Sequence, residues 1–193
     1  MAKQIGIFGG SFDPIHIGHA MIANYIIQNT YLDQLWIMVS PQNPLKSDKR
    51  CVNDNHRLIM ADLVARRLEQ VSVSAFEFTM PRPSYTIDTL NELKKRFPDK
   101  EFTLIIGADN WVVFNKWKGH DEIIEKFRIL IYPRKGYDVI IPNSIIDKVK
   151  VIGAPMVEVS STDIRNGIKN LKNMSFYMPD DVYRYIIEKK LYL

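Results

Sequence analysis

Short apolar runs alternate with longer amphipathic segments along the chain, and no other feature limits its fold as much. The apolar runs predict strands at residues 5–8, 35–39, 71–73, 102–106, 128–132 and 149–152. The amphipathic segments predict helices at residues 18–29, 53–69, 84–97, 108–125, 162–167 and 179–189. Asn53 or Asp54 is the expected N-cap of the second helix and Ser84 that of the third. Strands separated by helices predict an α/β fold, a doubly wound parallel sheet with helices on both faces and a small C-terminal helical segment.

One domain is expected over residues 1–193, because the sequence contains no internal repeat, low-complexity stretch or evident linker. No apolar run approaches the ~18 residues that a membrane span requires, and the start lacks the long apolar core of a signal peptide. Cys51 is the only cysteine, which excludes an intrachain disulfide and a cysteine-rich zinc site. We therefore expect a cytoplasmic protein that does not contact membranes.

The charge balance is weakly basic. Lysine and arginine total 26 and aspartate and glutamate total 22, which gives a formal net charge of +4. No block of five or more like charges is present, so no nucleic-acid partner is expected. The charge favours a phosphate-bearing ligand at most.

The oligomeric state is not determined by the sequence. Apolar residues such as Tyr183, Ile186 and Ile187 could belong to a core or to an interface, so a homo-oligomer is possible.

The loop after the first predicted strand has the properties of a polyphosphate cradle. Such sheets bind ligands at the carboxyl ends of their strands. Gly9 and Gly10 let the backbone turn tightly and approach a phosphate, and Ser11 offers a hydroxyl. His16 and His19, three apart at the start of a helix, can direct ring N–H donors at one anion. The helix N-terminus adds its own amides.

Other interpretations of this loop are weaker. The Gly-x-Gly-x-x-Gly dinucleotide fingerprint and the Gly-Lys-Ser/Thr of a P-loop are both absent. A metal site could use Asp13, His16 and His19, although no fourth ligand is evident. Two purely structural histidines are the remaining alternative.

A second group of candidate residues stands near the C-terminal end, at Ser160, Ser161, Thr162 and Arg165. Adjacent hydroxyls at a helix start commonly act as caps. Arg165, one turn inside the predicted helix, could also bind a phosphate with two parallel hydrogen bonds.

These two segments resemble the signatures of the nucleotidylyltransferase superfamily. His16-Ile17-Gly18-His19 is similar to its His-x-Gly-His motif, and residues 160–165 are similar to its Ser-Ser-Thr-x-Ile-Arg motif. The resemblance implies a Rossmann-like fold, histidines that contact the triphosphate of ATP or CTP, and a loop that holds the α-phosphate. Ser11 stands where the family often has threonine. Class I aminoacyl-tRNA synthetases share the superfamily, but the chain has no room for a domain that holds tRNA.

Three further stretches resemble the bacterial nicotinate-mononucleotide adenylyltransferases. The first, residues 83–90, reads Pro-Ser-Tyr-Thr-Ile-Asp-Thr-Leu; the second is 106–109, followed by Trp117; the third is 41–46, which ends in Lys46. The similarity extends over nearly the whole chain. It implies transfer of AMP from ATP to nicotinate mononucleotide in NAD biosynthesis, with nicotinate adenine dinucleotide and pyrophosphate as products.

The residues expected to bind nicotinate mononucleotide can also be interpreted from their own chemistry. Trp117 can lie flat against a pyridinium ring, although a lone tryptophan is more often part of a core. The helix start at Tyr85 and Thr86 presents amides that suit a carboxylate better than an amide group. Asp109 suits ribose hydroxyls or a surface cap, and Lys46 would act as a point charge on phosphate. His56, Arg57 and His120 are interpreted as structural or surface residues.

These considerations give three sets of predicted site residues. The catalytic set is His16, His19, Lys46 and Arg165. The ATP-binding set is Gly9, Gly10, Ser11, Phe12, His16, His19, Gly107, Asp109, Ser160, Ser161, Thr162 and Arg165. The set for nicotinate mononucleotide is Ser11, Lys46, Tyr85, Thr86, Asp109 and Trp117. Mg²⁺ is expected to arrive with ATP, coordinated by phosphates, without a metal site of protein ligands.

Two alternatives stay open at this stage. An adenylyltransferase could use another acceptor, such as nicotinamide mononucleotide or phosphopantetheine. A non-catalytic nucleotide-binding sensor would use the same phosphate-binding groups without releasing pyrophosphate.

Overall fold

The computed structural model describes residues 2–41 and 52–193, and within them six strands form one parallel sheet in the order β3-β2-β1-β4-β5-β6. All five strand pairings are parallel. The strands are β1 (Lys3–Gly10), β2 (Gln34–Val39), β3 (Val71–Ser74), β4 (Lys100–Gly107), β5 (Arg128–Tyr132) and β6 (Val149–Val151). The predicted doubly wound sheet is confirmed.

The central pair of strands determines where a ligand can bind. Residues 5–8 of β1 and 102–107 of β4 are buried throughout, which explains why these segments are apolar without alternation. Winding reverses between β1 and β4, because β2 and β3 lie on one side of β1 while β5 and β6 lie beyond β4. The carboxyl ends of β1 and β4 therefore border the crevice where such sheets bind ligands.

Seven α-helices flank the sheet in the described part of the chain. They are α1 (Ile17–Asn29), α2 (Asp54–Ala65), α3 (Thr86–Arg96), α4 (Ala108–Val112), α5 (His120–Lys126), α6 (Ser161–Lys169) and α7 (Asp180–Glu188). Short 3₁₀ turns lie at Phe76–Thr79, Phe114–Lys116, Asn143–Ile145 and Ser175–Tyr177. No helix among the described residues is long and apolar enough to cross a membrane.

The helices divide between two apolar clusters, one on each face of the sheet. One cluster takes its residues from α1, α2, α6 and α7, among them Ile26, Met60 and Ile164. The other takes them from α3, α4 and α5, among them Leu90 and Ile123. The C-terminal helices thus lie on the same face as α1, which brings the two ends of the chain together.

Two details of the predicted helices are wrong. The helix expected over 108–125 is divided, because α4 ends at Val112 and α5 begins only after Gly119. Gly119 is the N-cap of α5 and has a φ of 67°, a left-handed conformation that suits glycine. Ser84 is not the N-cap of α3; Tyr85 occupies that position. For α2 the expected cap is present, since the Asn53 side chain accepts a hydrogen bond from the Asn55 N–H at 2.9 Å.

Candidate active site

The last residues of β1 leave an open backbone surface at the sheet's carboxyl edge. A Cβ atom added to Gly9 would meet nothing within 4 Å, whereas one added to Gly10 would lie 3.0 Å from the Phe12 ring. Phe12 has a φ of 46° and a buried ring that packs edge-on against Phe8, with centroids 5.5 Å apart. The turn after β1 is therefore anchored by Phe12, and the backbone of Gly9 before it is accessible to a ligand.

The two histidines form a stacked pair at the start of α1. His16 is the N-cap residue, and its ring lies 3.7 Å from that of His19, centroid to centroid, at 28°. The backbone N–H of His16 donates a hydrogen bond of 3.2 Å to Nδ1 of His19. Because Nδ1 accepts, the neutral His19 ring carries its proton on Nε2. His19 is thus set up as an Nε2–H donor.

His16 is buried, with 5% of its surface exposed. Burial, together with the positive charge of Arg134, lowers the pKa of His16 from its ordinary value of 6.5 to about 4. His16 is therefore neutral at pH 7 and can contribute a hydrogen bond but no charge. Its Nδ1 atom is buried without a hydrogen-bond partner in the described part of the chain.

Helix α6 bonds directly to the first loop. The Ser161 hydroxyl donates to the backbone oxygen of Pro14 at 3.0 Å. Arg165 donates through Nη1 to the backbone oxygen of Asp13 at 2.7 Å and through Nη2 to Thr162 Oγ1 at 3.2 Å. The two predicted phosphate-binding segments are thus brought together at one edge of the sheet.

Ser160 has the capping role that its position suggested. Its Oγ accepts a hydrogen bond of 3.0 Å from the Asp163 N–H and donates to the Asp163 carboxylate at 2.5 Å. This arrangement fixes the first turn of α6, from which Ser161 and Arg165 reach the loop.

An unpredicted arginine lies at the end of the neighbouring strand. Asp109, in the first turn of α4, has Oδ1 3.1 Å from Nε of Arg134, and Arg134 Nη2 donates to the Tyr132 hydroxyl at 3.2 Å. A Cβ at Gly107 would overlap Asp109 Oδ1 and lie 2.9 Å from Arg134 Nε. Asp109, expected at ribose hydroxyls, therefore has a guanidinium partner, and Gly107 makes room for the pair. In the sequence, only the position of Arg134 just after a predicted strand could have indicated that it lies near the site.

The predicted acceptor residues lie around α3 and the segment after α4. Trp117 is partly buried and packs against Phe114, with centroids 5.4 Å apart, and its Nε1 is buried without a partner in the described residues. Tyr85 is exposed, makes no side-chain cap and has Lys118 Nζ 4.6 Å above its ring. Thr86 is the first residue of α3, where backbone N–H groups lack partners inside the helix.

Arg57, interpreted from the sequence as structural or surface, is a structural residue beneath the site. It is 1% exposed. Its Nη1 donates to the backbone oxygens of Ser11 at 2.7 Å and Ser40 at 2.6 Å, and its Nη2 to that of Pro41 at 3.3 Å and to Asp54 Oδ1 at 2.5 Å. Arg57 thus ties together the segments that follow β1 and β2.

Two further predictions concern Lys46 and a metal site in the first loop. Lys46, predicted to be catalytic and to bind the mononucleotide, lies outside the described residues. The alternative metal site of Asp13, His16 and His19 gains no support, because no three His, Cys, Asp or Glu side chains within residues 2–41 and 52–193 are placed to hold a metal ion. The Asp13 carboxylate instead accepts hydrogen bonds from Tyr192 and from the Val52 N–H.

A parallel sheet with these two motifs in contact at its carboxyl edge is the arrangement expected of a nucleotidylyltransferase. The family model described as cytidylyltransferase-like matches residues 7–167. A probable nicotinate-nucleotide adenylyltransferase of Bacteroides fragilis is 44% identical over 98% of this chain and 94% of the relative. One of Flavobacterium psychrophilum is 42% identical over 98% of each chain. The chain belongs to the nicotinate-nucleotide adenylyltransferases of the cytidylyltransferase-like family, and the predicted family is confirmed.

Solved structures show the same fold at low identity. The Plasmodium falciparum nicotinic acid mononucleotide adenylyltransferase complexed with NaAD has a TM-score of 0.81 and 22% identity, covering 98% of this chain and 97% of that one. The same enzyme complexed with APC has a TM-score of 0.78 with the same identity and coverage.

Proposed function

We propose that this chain transfers the AMP moiety of ATP to nicotinate mononucleotide, with nicotinate adenine dinucleotide and pyrophosphate as products. The contact of Arg165 and Ser161 with the first loop is the observation that carries the proposal, because it brings together the two segments that we predict to bind anions. The name of the Bacteroides fragilis relative supports nicotinate mononucleotide as the acceptor. The NaAD in the Plasmodium complex is the corresponding product.

The reaction needs no general base. An oxygen of the mononucleotide phosphate attacks the α-phosphorus of ATP, a new P–O bond forms, and the bond to the bridging oxygen of pyrophosphate breaks. A phosphate monoester has a second pKa near ~6, so the nucleophile is mostly a dianion at neutral pH. Two anions must approach while negative charge grows on the leaving pyrophosphate. Positioning and fixed donors therefore supply the catalysis.

The described residues suit that task in distinct ways. His16 and His19 would donate hydrogen bonds to the triphosphate, and the Gly9–Gly10 backbone would border the α-phosphate. Arg165 would bind the β- and γ-phosphates through two parallel N–H groups. Arg134 would add a second positive charge, since it already influences His16. Catalysis by these groups is electrostatic and needs no covalent intermediate.

Mg²⁺ fits this site as an ion bound by ATP. It prefers octahedral oxygen ligands and usually retains several waters beside phosphate oxygens, and the described residues offer no cluster of carboxylates that would replace them. The ion would reduce the negative charge of the triphosphate when bound. His16, His19 and Arg165 would still hold the phosphate oxygens that the ion leaves uncoordinated.

The acceptor would bind between α3 and Trp117. The first-turn amides of α3, at Tyr85 and Thr86, would donate hydrogen bonds to the nicotinate carboxylate. The amide group of nicotinamide would instead direct its own N–H toward one of these backbone N–H groups. Trp117 would stack on the pyridinium ring. Asp109 would accept from ribose hydroxyls once Arg134 turns toward phosphate. Lys46, between β2 and α2 in the sequence, would bind the mononucleotide phosphate.

A panel of acceptors tests the proposal directly. The purified chain is incubated with ATP and Mg²⁺ plus nicotinate mononucleotide, nicotinamide mononucleotide or phosphopantetheine, and pyrophosphate release is measured. Nicotinate mononucleotide should give the highest kcat/KM. A higher value for either other acceptor would overturn the assigned substrate. ATP binding without pyrophosphate from any acceptor would instead identify a nucleotide sensor.

A further inference from the structure

A buried carboxylate links the C-terminal segment to the ATP side of the proposed site. Asp13 is 3% exposed. Its Oδ1 accepts a hydrogen bond of 2.8 Å from the Tyr192 hydroxyl and one of 3.4 Å from the Val52 N–H. Its Oδ2 lies 3.9 Å from Arg165 Nη1, the same nitrogen that donates to the Asp13 backbone oxygen. Asp13 therefore stands between Tyr192 and Arg165.

The segment after α7 is folded back so that Tyr192 reaches this carboxylate. Lys190 and Tyr192 have φ values of 52° and 67°, and the Leu191 N–H donates to the Ile186 oxygen at 3.0 Å. Leu191 is buried in the same apolar cluster as α1 and α7. Burial and the negative charge of Asp13 raise the pKa of Tyr192 well above its usual range, so its hydroxyl remains a donor.

In the proposed complex the guanidinium of Arg165 would have two competing anionic partners, the Asp13 carboxylate and the phosphates of ATP. The Tyr192 hydroxyl satisfies Oδ1 and keeps the carboxylate turned so that Oδ2 is only at the margin of ion-pair distance from Arg165. Without that hydroxyl, Oδ1 would retain a single long hydrogen bond from Val52. A buried carboxylate that loses a donor is left undersatisfied, which costs free energy, and we infer that Asp13 would regain a partner by moving closer to Arg165. It would then draw Arg165 away from ATP.

We propose that Tyr192 is a positioning residue that, through Asp13, keeps the Arg165 guanidinium available to the ATP phosphates. The proposal rests on the function proposed above. It assigns Tyr192 no contact with either substrate. Its consequence is selective: ATP binding depends on the Tyr192 hydroxyl, and binding of the mononucleotide does not.

The test compares Tyr192→Phe, which removes only the hydroxyl, with Tyr31→Phe. The Tyr31 hydroxyl also makes a hydrogen bond, 2.9 Å from Thr103 Oγ1, away from the proposed site. Tyr192→Phe should lower kcat/KM for ATP about tenfold and change KM for nicotinate mononucleotide less than about twofold. Tyr31→Phe should leave both constants near wild type. Circular dichroism and assays at 15 °C ensure that folded variants are compared.

A double-mutant cycle separates positioning from a general loss of structure. In an Arg165→Lys background, and in an Asp13→Asn background that removes the competing charge, Tyr192→Phe should change KM for ATP less than about twofold. An undiminished effect in both backgrounds would overturn the proposal. Equal losses for ATP and mononucleotide, or no loss for either, would overturn it as well.

A binding measurement keeps the test independent of the reaction. ATP should raise the melting temperature of the wild-type chain and of Tyr31→Phe, and raise that of Tyr192→Phe less at the same ATP concentration. If the wild type binds ATP but releases no pyrophosphate, the proposed function fails while this comparison still decides the role of Tyr192. Equal ATP shifts for wild type and Tyr192→Phe would refute that role.

Discussion

Nη1 of Arg165 donates a hydrogen bond of 2.7 Å to the backbone oxygen of Asp13, 152 residues earlier in the chain. This bond joins the helix after the last strand to the loop after the first. The sheet order makes the contact feasible, because α1 and α6 pack in the same apolar cluster on one face. A triphosphate at this edge would meet donors from both segments at once.

Arg165→Ala should lower turnover on the order of 10²–10³-fold, the loss typical of removing one fixed donor from a transition-state anion. The matched control is Arg66→Ala, since Arg66 is exposed at the end of α2 and pairs only with Asp62 among the described residues. Steady-state pyrophosphate release measures both. Near-normal turnover of Arg165→Ala would remove this residue from the catalytic set.

The pKa of His16 predicts how stability depends on pH. The folded-state pKa is about 4 and the ordinary value 6.5, so the unfolded chain binds the extra proton between these pH values. Stability from this group is therefore present above pH 6.5 and is lost as pH falls toward 4, by about 2 kcal/mol at pH 5 relative to pH 7. Urea unfolding of the wild type and His16→Gln at both pH values measures it. The variant should lose less stability than the wild type, and equal losses would contradict the prediction.

Much of the fold could be predicted because the central strands are buried on both faces. The apolar runs at 5–8 and 102–106 mark these strands without ambiguity, and the intervening amphipathic segments mark the helices. The division of the 108–125 segment has a partial signal in the sequence, because residues 118–122 contain no apolar side chain and include Gly119. The end of α4 at Val112 has no such signal, because the apolar residues that follow it, Phe114 and Trp117, pack into the same cluster as α3 and α5 without continuing the helix.

The proposed site was predictable where its residues are contiguous in sequence and not where they meet only in space. His16, His19 and Arg165 belong to local motifs. The hydrogen bond between Tyr192 and Asp13 spans 179 residues, and no local pattern indicates it. For Arg134 the sequence offered only its place just after a strand, since its relation to Asp109 depends on the pairing of β5 with β4.

Trp117→Ala should raise KM for nicotinate mononucleotide about tenfold and leave KM for ATP nearly unchanged, because stacking on an aromatic base contributes roughly 1–3 kcal/mol. Trp111→Ala is the matched control. Trp111 stacks on the same Phe114 ring at 5.2 Å and also donates its Nε1–H to the Ile140 oxygen, so the control loses comparable packing and a hydrogen bond as well. Equal rises in KM for both substrates with Trp117→Ala would assign Trp117 to the core instead.

Gly9→Ala should separate ligand contact from folding. Its added Cβ meets no protein atom within 4 Å, and Gly9 has no positive φ to strain. The free energy of unfolding should therefore change by no more than about 0.5 kcal/mol. If the α-phosphate of ATP lies against this backbone, the methyl group occupies its space and KM for ATP should rise at least about tenfold.

Gly107→Ala provides the contrast, since its Cβ would overlap the Asp109 carboxylate and approach the Arg134 guanidinium. That variant should lose stability as well as activity, because two charged side chains must move. Urea unfolding and ATP-dependent kinetics measured on both variants distinguish the cases. A Gly9→Ala variant with unchanged KM for ATP would show that the triphosphate does not follow the first loop, and the ATP site would then have to be placed elsewhere along the sheet's edge.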